Sequence, residues 1–309
     1  MGLAGILRNL LRHSLLALPL LFFFCPGAPA QEWQRDREQT VRIHSLPQNA
    51  AALQVIKPVL RAALDHIAAE LGSDEPDSLD LYLAPDRSTF HRLTGGRIPE
   101  WGAGCAFPAR GLIYVHLEQP DPNALKRTLV HELAHVILYR RTRGTRLPRW
   151  FNEGTAMLLA REWRYGQTAD MVVAALADRF HSLNEVESML RFPESEARRA
   201  YAESFSAVLF LQRMGGRGLW PELLEAVRQQ RSFERALVEV VGMSPAAFER
   251  RWLAHLRQEF NPLRLLFDSG LLWLWIIGLA VLAYIGTRLR ARRLRKAWEV
   301  EEENEEWVE

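Results

Sequence analysis

Two histidines four residues apart, His131 and His135 in the run His131-Glu132-Leu133-Ala134-His135, constrain this chain more than any other feature. Four residues advance a helix by about 400°, so the two imidazoles lie one turn apart on the same face. Leu125, Leu129, Leu133, Val136 and Ile137 add an apolar stripe at helical spacing, which places the run on a buried, rigid helix. Two ring nitrogens on one side of such a helix can hold a zinc ion, with Glu132 beside them as a general base.

A second segment completes the pattern. Trp150-Phe151-Asn152-Glu153-Gly154-Thr155-Ala156 begins just after Pro148, a residue suited to opening a helix. Catalytic zinc commonly takes two histidines and one glutamate and keeps a fourth position open for water, which makes Glu153 the natural third ligand. The connection 140–147, rich in Arg, Thr and Gly, lets the two helices turn back on each other, as a shared metal requires.

With these residues in place the chain resembles the gluzincin metallopeptidases and, among them, the bacterial peptidase-MA-like domains. The resemblance rests on HELAH followed by WFNEGTA, and Asn-Glu-Gly-x-Ala is also similar to the aminopeptidase branch. It implies Zn2+ held by His131, His135 and Glu153, with Glu132 as catalytic base. It extends to Tyr201-Ala202-Glu203-Ser204-Phe205, which resembles the downstream helix of these domains. The resemblance carries onto Tyr201 the steadying of an oxyanion, with plain helix packing as the alternative. One departure stands out: the thermolysin pattern has an aspartate one turn after the third ligand, and here Met157 occupies that place. The groups that orient the two histidines are therefore left open.

The ends of the chain suggest an address. Arg8 and Arg12 precede an apolar run up to Cys25, and Ala28-Pro29-Ala30 has the form of a cleavage site, so 1–30 reads as a signal peptide. The stretch 270–287 carries no charge and is long enough to span a hydrocarbon core of about 30 Å. Arg288, Arg290, Arg292, Arg293, Arg295 and Lys296 come directly after it, and this positive flank assigns 288–309 to the cytoplasm as a charged tail. The expected organisation is thus an extracytoplasmic domain over 31–262, held at the inner membrane by one C-terminal transmembrane helix. A formal net charge of +2 and the lack of a base-reading motif argue against nucleic acid as a partner.

Within 31–262 alternation marks short strands at 40–44, 79–83 and 110–117. Leu53, Ile56, Leu60, Leu64, Ile67 and Leu71 mark a helix that Pro58 is expected to kink or split. Everything after Asp121 reads as helical. The fold class expected is α+β, a small N-terminal sheet with helices packed on a mainly helical C-terminal half, with zinc at the junction. An extended peptide substrate would pair with a sheet edge, and 104–117 is the candidate segment. Cys105 is the one cysteine left after signal removal, which excludes an internal disulfide; it reads as a small packed residue, with a reactive thiol or dimer link as alternatives. His44, His66, His91, His116, His181 and His255 lack paired spacing and read as surface or satisfied core positions. The function expected is a membrane-anchored zinc metallopeptidase. An inactive interaction protein of the same fold and a zinc hydrolase of a non-peptide substrate are the alternatives.

Overall fold

The computed structural model describes residues 32–72, 78–96, 102–118, 122–162, 165–216, 218–260 and 271–306. The expected signal peptide at 1–30 lies outside them. Strand β1 (Gln34–Glu38) pairs antiparallel with β2 (Val41–Ser45), which runs parallel to β3 (Leu79–Ala84). β3 pairs in parallel with β5 (Leu112–His116), and β4 (Gly104–Phe107) closes the sheet antiparallel to β5, giving the order β1-β2-β3-β5-β4. Val41, Ile43, Leu79, Leu81, Leu83, Ile113 and Val115 alternate onto one buried face of the sheet. On the other face His44, Tyr82 and Tyr114 stand in register and stack, with centroids 4.2 and 5.0 Å apart.

Helix α1 (Ala50–Leu71) carries the chain from β2 to β3 and buries Leu53, Ile56, Leu60, Leu64, Ile67 and Leu71. It is one helix with Pro58 inside, not two. Pro58 and Gln54 both lie on the exposed side, so the carbonyl deprived of its i+4 donor can turn to water. The segment 104–117 likewise differs from expectation. It folds as two strands joined by a 3-10 turn at Pro108–Arg110, so only β4 is an edge and β5 lies inside the sheet. Gly111, at φ +63°, makes the reversal that a branched side chain would resist.

After α2 (Arg87–Thr94) and the β4–β5 hairpin, all described elements are helical: α3 (Pro122–Arg141), α4 (Arg149–Ala160), α5 (Tyr165–Leu176), a 3-10 helix (Glu185–Arg191), α6 (Glu194–Gly215), α7 (Leu219–Gln230), α8 (Phe233–Val241), α9 (Pro245–Glu259) and α10 (Leu271–Glu306). α3 packs against β4 and β5 on one side and α4 on the other, and α4 packs against α6. Gly154 permits that last approach, because a Cβ there would overlap the Ser204 carbonyl and lie 2.7 Å from Val208. The start of α4 is anchored in an aromatic cluster in which Trp150 stacks on Phe248 and Phe151 meets Phe233 at 4.7 Å. Both halves share one contiguous hydrophobic core. Among the described residues no helix is long and apolar enough to cross a membrane. The span expected at 270–287 includes Gly270, which lies outside them, and coincides otherwise with the start of α10.

Candidate metal centre

The site forms where α3 passes under α4. The loop between them turns through Arg143 and Gly144, both at positive φ, and Thr142 ties its start with an Oγ1 bond to Leu138 O at 2.9 Å. The return brings His131, His135 and Glu153 together, with one potential ligand atom from each lying within 4.8 Å of the others. Nε2 of His131 and of His135 lie 3.5 and 3.7 Å from the same oxygen, Glu153 Oε2. Both rings therefore turn Nε2 inward. Arg149 Nη1 stands 4.0 Å from the other oxygen of Glu153.

The outward nitrogens also have neighbours. His135 Nδ1 lies 3.2 Å from Asn152 Oδ1, and His131 Nδ1 lies 3.3 Å from Glu162 Oε2. Sequence reasoning named neither as an orienting group. Asn152 could have been found, since it immediately precedes Glu153 on the helix turn that faces α3. Glu162 carries no periodic signal, because it lies past the end of α4. Met157, the position where the thermolysin pattern has its aspartate, is buried at 3% exposure among apolar residues.

The electrostatics of the group favour a cation. Burial pushes the Glu153 carboxyl up, but His135, His131 and Arg149 outweigh it and hold Glu153 at about 2. Burial pulls His131 down, yet Glu162 and Glu153 more than reverse this and leave it well above the usual imidazole range. His135 is lowered by its burial and is ready to present a neutral ring. A ring of carboxylates thus holds positive charge between the helices. Two imidazole nitrogens and a carboxylate are a donor set that suits zinc, so these residues fit the metal that the motifs imply.

Glu132 is buried beside the group, and desolvation raises its carboxyl to about 7 against the pull of His131. The Ala106 main-chain N–H on β4 donates to it. Strand β4 comes this close because residue 104 is glycine: a Cβ there would lie 2.8 Å from Glu132 Oε1 and 2.7 Å from Thr128 Cγ2. Tyr201, on α6, is near enough that Glu153 and Glu132, after burial, raise its hydroxyl well above the ordinary value, so it stays protonated. Cys105 is half-buried in β4, and burial and Glu132 push its thiol up to about 12, which disfavours a thiolate there. His116 stands on β5 against Phe90, with centroids 5.5 Å apart, and does not join the group.

A model of the Peptidase MA superfamily matches residues 61–258, well over half of the chain. The chain belongs to this superfamily. The match takes in β3 to α8 entire, and with them His131, Glu132, His135, Glu153 and Tyr201; β1, β2 and the first half of α1 precede it. Among solved structures, a two-domain M1 zinc metallopeptidase bound to L-arginine is similar at a TM-score of 0.42 and 15% identity, over 72% of this chain and 51% of that one. The chain thus spans about half the length of that structure. No curated protein matches it.

Proposed function

We propose that this member of the Peptidase MA superfamily is a zinc metallopeptidase of gluzincin type, anchored to the membrane and acting on peptides outside the cytoplasm. The observation that carries the reading is the convergence of His131, His135 and Glu153 from two helices, with both Nε2 atoms turned to one carboxylate oxygen. Zinc bound there would lower the pKa of water and polarise a scissile carbonyl.

The chain's own residues supply the rest. Glu132, raised to about 7, is poised to take a proton from the attacking water and pass it to the leaving amine. The Ala106 N–H holds its carboxylate in place. The Tyr201 hydroxyl, held protonated by its surroundings, would donate to the developing oxyanion. Among the described strands β4 is an edge beside Glu132, so an extended peptide would add to the sheet there through main-chain hydrogen bonds, presenting its backbone to the base.

Membrane attachment is supported by α10. Trp273, Trp275, Ile277, Leu279, Leu282 and Tyr284 are all more than half exposed, so among the described residues this uncharged stretch presents an apolar surface that nothing covers. Such a surface suits lipid, and the basic run after 287 suits the cytoplasmic side. The signal-like 1–30 supports export of the domain.

The expected result for the full-length chain is one zinc per molecule and peptide hydrolysis that a chelator abolishes and stoichiometric zinc restores. Hydrolysis that persists after complete metal removal would exclude the reading.

A further inference from the structure

We propose that Glu162 is the positioning residue for His131: its carboxylate stands at ion-pair distance from Nδ1 and would take up that proton's bond when the ring ligates, fixing Nε2 toward the metal. This rests on the reading of His131, His135 and Glu153 as a metal site. A buried imidazole that ligates through one nitrogen needs an acceptor for the other, since that partner sets both the tautomer and the ring plane. His135 has the Asn152 amide oxygen for this. His131 receives nothing equivalent from the body of α4, because the residue one turn beyond Glu153 is Met157, which is turned into the core.

The end of α4 makes up for it. Arg161 takes a left-handed conformation at φ 54°, its N–H bonds to Leu158 O at 3.2 Å, and the Glu162 N–H bonds back to Met157 O at 3.0 Å. This closure is the usual way a helix reverses at its C-terminus, and it folds the next residue back along the last turn. Glu162 is thereby delivered to His131 from outside the helix, with Oε2 at 3.3 Å from Nδ1. Its side chain is 22% exposed, and its ion pair among the described residues is with His131. A carboxylate raises the basicity of the ring it contacts more than an amide does, so the two histidines are expected to differ as ligands.

The test measures zinc affinity by competition with a chromophoric chelator, together with the visible spectrum of the cobalt-substituted protein, on the full-length chain. Glu162→Ala is expected to weaken zinc binding about 10- to 100-fold and to shift the cobalt bands, with the apo protein unfolding at the wild-type temperature. Glu162→Gln, whose amide oxygen still accepts Nδ1–H, is expected to recover much of the affinity. Zinc binding by Glu162→Ala as tight as wild type overturns the proposal, and so does a loss that accompanies unfolding of the apo protein and is not rescued by Gln. His131→Ala separates this from the underlying reading: if it too binds zinc at wild-type strength, the metal site itself is misassigned.

Discussion

Gly104 shows how narrowly Glu132, the proposed base, is held. The strand backbone lies against Glu132 only because no Cβ intervenes, and Glu132 Oε1 would be 2.8 Å from one. Gly104→Ala is therefore expected to push the carboxylate out of line, lowering kcat about 100-fold while zinc content stays at wild type. Measuring turnover and bound zinc on the same sample checks this; unchanged turnover would mean that β4 does not set the position of Glu132. At this scale the convergence of His131, His135 and Glu153 was legible because helical periodicity and a short return loop are both local properties. Glu162 was not legible, since its arrival depends on a left-handed Arg161 where glycine is the common choice, and no spacing rule marks such a turn. The pairing of His181 with a fully buried Glu203, Nδ1 to Oε2 at 2.8 Å, agrees with the satisfied-core reading of that histidine, but its partner lies 22 residues away on α6 and could not be named.

The elements that position the site depend on close approach. α4 brings Glu153 to the histidines because α6 backs it without a gap, and Gly154 is where the two helices come nearest. Gly154→Ala must move backbone, not the far end of a side chain, so a loss of about 3 kcal/mol in folding free energy is expected, with denaturant unfolding as the measurement. A change below about 0.5 kcal/mol would show that α4 and α6 can part at little cost. Most elements could be read from pattern: α1 from its apolar spacing, β3 from strict alternation. β1 escaped because Gln34–Glu38 is polar throughout, as an exposed edge strand can be when its pairing, not its burial, holds it. In 104–117 alternation marks a strand only over 110–117; β4 is too short to carry a pattern of its own, and the pairing alone shows the turn at Pro108–Arg110 that separates it from β5.

For the molecule as a whole, the helical half and the sheet share one core while α10 stands apart, with every described side chain exposed. Removal of 271–309 is accordingly expected to leave the unfolding temperature of the domain unchanged and to shift the protein from the membrane fraction to the soluble one; retention at the membrane after alkaline extraction would contradict the anchor. The α+β class and the junction between the halves were legible from where alternation gives way to helical periodicity after Asp121. Substrate preference was not, because β4 would meet a peptide through its backbone, which reads no side chain. The most direct test of the central claim is cleavage of a mixed peptide library by wild type and Glu132→Gln, with zinc quantified in both. The expected result is equal zinc and cleavage by wild type alone; equal cleavage by the two proteins would contradict the assignment of Glu132, and no cleavage by zinc-loaded wild type would contradict the peptidase itself.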